Sequence, residues 1–279
     1  CGGGMQLPCG KSPMGVLAMR EIAEGETYRA LHPLSPTTLN VDGSWRPLNY
    51  ITWAHTVDVI QVDPYYQMRL QDAYDQIPSQ IPQYLKATVV YAISKATVTG
   101  AEPNPAHPIL FSTELLSDGS VVWPFPNRES KRIEVYYSLA AGAKGLSYWW
   151  MNPGPKFNGM GNQNKPESVA LWKEMGLLGN EIKTVGPLIV TSHPVDMPLT
   201  PGTNVWARAL ASGDDTIVLV VVNDNYYNDQ AGCHYTPVAN ATVTATLPAW
   251  MQPSPLAFEI SAGGLKAVSS QVNSNQMQL

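Results

Sequence analysis

Between about Ser12 and Pro187, short runs of β-branched and apolar residues alternate with longer stretches whose apolar positions recur at helical spacing. From about Leu188 onward only strand-like runs remain, broken by Gly, Pro, Asn and Asp. The pattern predicts an α/β region over residues 1–187 and an all-β region over 188–279. In the first region, strands are expected at 37–41, 57–62, 109–115 and 145–150. Helices are expected at 13–31 (Met14, Leu17, Ala18, Ile22), at 82–99 (Leu85, Val89, Ile93, Ala96) and at 130–141 (Ile133, Tyr136, Tyr137, Ala140), the last stopped by Gly142. A further helix over 166–185 opens with Pro166 in its first turn and is expected to end before Gly186-Pro187. Repeated strand-then-helix units imply a parallel sheet covered by helices. Four parallel strands cannot close on themselves, so two unpaired edges and one uncovered apolar face are expected as well.

The remaining residues read as strands at 205–210, 216–223, 241–247, 256–260 and 267–272. They are separated by Gly213-Asp214-Asp215, Asn223-Asp224-Asn225, Pro248 and Gly263-Gly264, which predicts a small antiparallel β-sandwich. The acids and amides of those turns bond their own backbone, and they also leave room for a calcium ion. Asn240-Ala241-Thr242 forms a glycosylation sequon, meaningful only in a eukaryotic secretory pathway.

Composition narrows the partners. Charged residues make up 14% of the chain, against roughly 25% in an average soluble domain, so uncharged polar groups must cover much of the surface. That balance favours an extracellular or periplasmic protein. Seventeen Lys and Arg against 22 Asp and Glu leave a net charge of −5 with no basic block, which argues against nucleic acid as a partner. The longest apolar run, 217–222, is strand-length and does not predict a membrane span. Residues 1–9 show neither the charged nor the apolar segment of a signal peptide. Three cysteines (Cys1, Cys9, Cys233) leave at least one unpaired within the chain, and Cys1 with Cys9 could close a small loop in an oxidising compartment. Neither Cys-x-x-Cys nor His-x-x-x-His occurs, so no structural zinc site is expected, and no cofactor is expected because carboxylate chemistry needs none.

In a parallel α/β barrel the reactive groups project from the C-terminal ends of the strands. There the sequence places Asp63-Pro64-Tyr65-Tyr66 after the second strand, Ser112-Thr113-Glu114 at the end of the third, and Tyr148-Trp149-Trp150 at the end of the fourth. Aromatic faces stack on sugar rings, and carboxylates serve both hydroxyl binding and glycosidic-bond chemistry. Glu114 is therefore the candidate catalytic group, with Asp63, Tyr65, Trp123, Trp149 and Trp150 as candidate substrate-binding residues. The plainer alternatives make Glu114 an edge carboxylate or half of a buried ion pair, and Asp63 a turn cap. Trp149 and Trp150 point to opposite faces if both lie in a strand, so only one can line a cleft. Trp123, in a Pro-rich loop, is the expected exposed aromatic, whereas His55 and His107 precede strands and read as structural.

The string Thr-Val-Asp-Val-Ile-Gln-Val-Asp-Pro-Tyr (56–65), followed by His-Pro-Ile-Leu-Phe-Ser-Thr-Glu (107–114), resembles the later strands of a glycoside hydrolase barrel of the large retaining clan. Arg-Glu-Ser-Lys-Arg-Ile-Glu-Val-Tyr-Tyr-Ser-Leu-Ala-Ala-Gly-Ala-Lys-Gly-Leu-Ser-Tyr-Trp-Trp (128–150) is similar to the helix and eighth strand of the same enzymes, entered through a Gly-Ala-x-Gly turn. The resemblance implies a partial (β/α)8 TIM-type barrel, strands five to eight, with a C-terminal antiparallel β-sandwich. It implies a carboxylate nucleophile at the seventh strand, which maps onto Glu114. It also implies an acid/base carboxylate at the fourth strand, which maps onto nothing in this chain.

Two functional readings follow. The first is a glycoside hydrolase, or the C-terminal part of one, cleaving O-glycosidic bonds of a polysaccharide or oligosaccharide. The second is a non-catalytic carbohydrate-binding or structural protein that keeps the cleft without the acid. A Gly-x-Ser-x-Gly elbow is absent, which disfavours an α/β hydrolase of another kind. Open sheet edges make a homo-oligomer, or a missing N-terminal half-barrel, the expected partner alongside the carbohydrate.

Overall fold

The computed structural model describes residues 13–41, 47–66, 86–229, 232–251, 256–261 and 263–279. Cys1 and Cys9 lie outside the described residues, as does the start of the helix expected from residue 82. Five helices are described: α1 (Pro13–Leu31), α2 (Pro47–Ala54), α3 (Thr88–Ala101), α4 (Arg128–Ala140) and α5 (Pro166–Thr191). Helix α2 was not expected, since its eight residues are too short to establish a helical period.

Helix α4 shows why its boundaries were readable. The Asn127 side chain accepts from the Ser130 N–H, which satisfies one of the orphan donors of the first turn. At the other end Gly142 takes φ +98°, and the N–H groups of Gly142 and Ala143 close back on Leu139 and Ser138. Helix α5 departs from expectation. It runs through Pro187 to Thr191, because Leu171, Leu178, Val185 and Ile189 form one continuous buried stripe. Burial of Ile189, worth roughly 1.5–3 kcal/mol, helps offset the roughly 3 kcal/mol that an interior proline costs. The carbonyl of Ile189 at that end accepts from Lys144 Nζ at 2.9 Å and from Ser192 Oγ.

Strands β1 (Thr38–Val41), β2 (Val59–Val62), β3 (Ala106–Phe111) and β6 (Ser147–Trp149) form a parallel sheet in the order β1-β2-β3-β6. The expected third strand is broken at Ser112. Its second half becomes β4 (Thr113–Ser117), which leaves the parallel sheet and pairs antiparallel with β5 (Ser120–Trp123) and β7 (Phe157–Gly159). Alternation along the parallel strands sends Leu39, Val41, Ile60, Val62, Ala106 and Leu110 toward the helices. The opposite face is not the apolar surface that was expected. It carries Asn40, Gln61, His107 and Ser147 together with Ile109, Phe111 and Trp149, and Gln61 Nε2 donates to Ser147 Oγ at 3.4 Å. His107 lies inside β3 rather than ahead of it, and its ring packs so closely on Gly145 that a Cβ there would stand 2.6 Å away.

Beyond α5 the chain holds β8 (Ser192–Val195), β9 (Leu199–Pro201), β10 (Val205–Ser212), β11 (Thr216–Asn223), β12 (Tyr226–Asp229), β13 (Gly232–Tyr235) and β14 (Val243–Thr246). It closes with β15 (Ala257–Ser261), β16 (Gly264–Val268), β17 (Gln271–Asn273) and β18 (Gln276–Gln278). Two antiparallel sheets, β11-β10-β8 and β17-β18-β14-β9, and two hairpins, β12-β13 and β15-β16, result. The β10–β11 pair has two apolar faces. Ala209, Ile217 and Leu219 meet Ala245 and Met277 of the other sheet, while Trp206, Leu210, Val218, Val220 and Val222 pack on the helical core with Leu139 and Ile189. Strands β8, β9 and β18 went unpredicted because each has three or four residues, and Pro194 and Pro201 interrupt the first two. No described helix is long and apolar enough to cross a membrane.

Candidate functional site

Parallel strands share one C-terminal edge, and the expected site residues gather there. Asp63 and Tyr65 follow β2, Phe111 ends β3 and Trp149 ends β6, in register with Phe111. Phe111 is the buried hub of this edge. The rings of Tyr65 and Trp123 both stand edge-on to it with centroids 5.4 Å away. Asp63 accepts from Asn40 Nδ2 at 3.2 Å, which links the tips of β1 and β2.

Three expectations change. Trp123 is not a free loop aromatic: it ends β5 and packs against Phe111. Trp149 and Trp150 do not point to opposite faces, because Trp150 lies past the end of β6, where strand alternation no longer applies. Their rings sit side by side with centroids 4.8 Å apart, and Phe157 closes on Trp149 from the next strand at 6.0 Å. Trp150 is exposed and Trp149 half-buried, so the pair presents one aromatic wall. Glu114 is not at the tip of a parallel strand but in β4, three residues beyond the end of β3.

Glu114 is buried, and its surroundings are specific. Lys165 Nζ lies 2.5 Å from Oε2, and Asn158 Nδ2 donates to the same oxygen at 3.0 Å. Asn158 is the cross-strand partner of Glu114 in the β4–β7 pair. Its own carbonyl oxygen accepts from Asn162 Nδ2 at 2.7 Å, which turns the amide so that its NH2 faces the carboxylate. The segment carrying these groups folds back tightly. The N–H groups of Gly159, Met160 and Gly161 donate to the carbonyls of Asn152, Trp150 and Met151, and a Cβ on Gly159 would stand 2.4 Å from the Met151 backbone.

Behind the tips lies a fully buried ammonium. Lys131 Nζ, from α4, donates to the Phe111 carbonyl at 2.5 Å, pairs with Glu134 and sits 5.7 Å from the Tyr148 ring centroid. Burial pulls this ammonium below its ordinary range, against the opposing pull of Glu134. Burial, with a smaller push from Glu134, raises the Tyr148 hydroxyl to about 12. Cys233 is buried too, and desolvation raises its thiol to about 11, so it stays protonated and unreactive at neutral pH. Among the described residues no three His, Cys, Asp or Glu side chains gather as metal ligands, the acidic turns considered for calcium included.

Phe111, Asn158, Asn162, Lys165 and Lys131 were not anticipated. Asn158 lies in the three-residue β7 and Asn162 and Lys165 in the connection to α5, a stretch with no periodic pattern, and the folded β4–β7 pairing is what brings Asn158 to Glu114.

No protein-family model matches the chain. Over 201 residues, 68% of the chain, it is 25% identical to beta-galactosidase BgaB of Geobacillus sp. (strain Y412MC61) and to beta-galactosidase bgaB of Geobacillus kaustophilus. The likeness is to glycosidases. It is distant, and the matched stretch spans 27% of the length of each of those relatives. A carboxylate fixed by two donors in the strand that follows β3, and a tryptophan pair at the end of β6, are chemical parts that sugar recognition uses.

Proposed function

We propose that the chain forms the C-terminal part of a retaining glycoside hydrolase acting on a β-galactoside, with Glu114 as nucleophile. In this reading β1, β2, β3 and β6 are strands five to eight of a (β/α)8 barrel. The barrel and sandwich regions, expected over 1–187 and 188–279, meet at the end of α5. The observation that carries the reading is the fixation of Glu114. Lys165 and Asn158 both hold Oε2, and in this reading Oε1, for which no donor is described, is the attacking atom. That oxygen forms a bond to the anomeric carbon while the leaving oxygen departs with its bonding pair. Water then replaces the carboxylate at the anomeric carbon, giving up a proton that the departed oxygen takes, and the sugar leaves with its configuration retained. Trp149 and Trp150 supply the stacking surface, and Asp63 and Tyr65 border it. The protein's low charge fits an extracellular or periplasmic site of action.

A second reading, a sugar-binding protein without turnover, is favoured by one observation: the groups that meet Glu114 are a lysine and an amide, not a second carboxylate. A 2-deoxy-2-fluoro β-galactoside with a dinitrophenolate leaving group separates the two, because that group departs without an acid. The expected result is a stable mass increase of one fluorosugar, mapped to Glu114. An unlabelled chain that still binds galactosides would establish the second reading instead.

A further inference from the structure

Lys131 is the one fully buried cation described, and the reaction just outlined does not use it. A buried ammonium is costly unless paired and hydrogen-bonded, and Glu134, one turn along α4, supplies the opposite charge but takes only one of its three N–H donors. The side chain also reaches the carbonyl of Phe111, twenty residues away in sequence. That carbonyl marks where the chain leaves the parallel sheet. Up to Phe111 the strand follows β6, and from Thr113 it follows β5 and β7. A strand that changes partners strands a backbone carbonyl between two ladders, and a buried carbonyl needs a donor. Lys131 supplies it, and its ammonium also faces the ring of Tyr148 in β6. One charge thus touches β3, from which the chain runs on into β4 and Glu114, and β6, which ends at the Trp149–Trp150 wall.

We infer that Lys131 is a positioning residue for the sugar site: by holding the Phe111 carbonyl against β6, it sets where Glu114 stands relative to the two tryptophans. The inference rests on the proposed role of Glu114, but its first test does not. In the 279-residue chain labelled with 15N-lysine, Lys131 is expected to show a slowly exchanging ammonium signal with cross-peaks to Phe111 and Tyr148. No such signal would overturn the tether. The variant Lys131→Met/Glu134→Gln removes both charges together and so avoids leaving a lone buried carboxylate. Amide exchange at Ser112 to Leu115 is then expected to quicken about tenfold while α5 is unchanged. Unaltered exchange would defeat the inference whatever the activity.

With a dinitrophenyl β-galactoside, kcat of the double variant is expected to fall on the order of 10- to 100-fold with KM held, because displacement by about an ångström is enough for that. Glu134→Gln alone keeps the ammonium on Phe111 and should leave kcat close to wild type. If it matches the double variant, the ion pair rather than the tether matters and the inference fails. A wild-type chain without turnover would reflect the missing acid/base carboxylate as readily as a failure of Glu114, and the ammonium and exchange results would then decide the tether by themselves.

Discussion

Lys165 Nζ and Glu114 Oε2 lie 2.5 Å apart, and the two residues come from opposite ends of a fifty-residue segment. Lys165 is the residue before the first turn of α5, and Glu114 is in β4, so the ion pair ties the last helix to the strand that leaves the parallel sheet. The pair is asymmetric: the Glu114 side chain is 8% exposed and that of Lys165 is 38% exposed. Losing the charge on Glu114 therefore frees Lys165 to turn toward water, whereas losing Lys165 strands a buried carboxylate.

Glu114→Gln is expected to keep the fold and lose covalent labelling. Gln is nearly isosteric, and its carbonyl oxygen can still accept from Asn158. The stability loss is expected to be about 1.5–3 kcal/mol, that of one charge-assisted hydrogen bond. Denaturant melts and labelling by the fluorosugar check both halves. Wild-type labelling in the Gln variant would remove Glu114 from the mechanism.

Gly159→Ala should damage the site through the backbone. The added Cβ would meet the carbonyl carbon and oxygen of Met151 at 2.4 Å and the oxygen of Trp150 at 2.6 Å, all main-chain atoms that cannot rotate away. Overpacking of this kind costs roughly 1–3 kcal/mol. Separation of β7 from β4 should also take the Asn158 amide off Glu114. Urea denaturation and tryptophan fluorescence from Trp150 report the two effects, and a variant with native stability would mean that the segment 151–161 packs less tightly than described.

Ion pairs in the molecule should separate by burial. Arg132 meets Glu174 and Glu181 at 2.5 Å each, and both carboxylates are buried between α4 and α5. Arg128 also reaches Glu174, at 2.9 Å, but Glu181 depends on Arg132 and the Tyr136 hydroxyl. Arg132→Met is expected to cost about 3–5 kcal/mol, because it leaves buried charge uncompensated. Arg20→Ala removes an exposed pair with Glu24 one turn away on α1 and should leave the denaturation midpoint unmoved.

Much of the α/β framework was legible because its signals are local. Apolar spacing in α4, Pro166 at the start of α5 and Gly142 at a helix end all act within a few residues of themselves. The mixed face of the sheet was also present in Val59-Ile60-Gln61-Val62, where every second residue faces the helices, yet a run of β-branched residues hides that alternation. What could not be read was set at long range. Ser112 carries no turn signal, and the strand breaks there because β5 and β7 offer Thr113–Ser117 a different ladder. Lys165 and Asn158 lie 51 and 44 residues from Glu114, and no spacing rule links positions so far apart.

His107 gives the protein an acid-side weakness near neutrality. Burial holds its imidazole below the ordinary value of 6.5, so the unfolded chain takes up a proton before the folded chain does. Its contribution to stability is therefore full above pH 6.5 and is lost as pH falls through the lower folded-state value. Stability measured by denaturant melts should decline as pH falls below 6.5, and His107→Gln should flatten that decline. An equal slope in the variant would assign the loss to other groups.

The open sheet bears on assembly. On the reading of β1, β2, β3 and β6 as half a barrel, the outer edges of β1 and β6 need strands that these four cannot provide. The face turned away from the helices is only partly covered, with Asn40 exposed and Gln61, Ser147 and Trp149 half-buried. Ahead of β1 in the chain, helix α1 adds exposed Val16, Met19 and Leu31, and Leu34 follows in the connection to β1. Apolar side chains next to an unpaired edge are an association surface, while the polar groups on the sheet face keep it from being a purely greasy one. The 279-residue chain alone is therefore expected to associate reversibly, its mean mass by light scattering rising with concentration, until a covering partner is supplied. That partner is either a second copy or a segment bearing the other half of the barrel. A chain that stays monodisperse and monomeric and melts in one cooperative step would show that β1 and β6 tolerate their open edges. The half-barrel reading would then have to give way to a fold in which four parallel strands suffice.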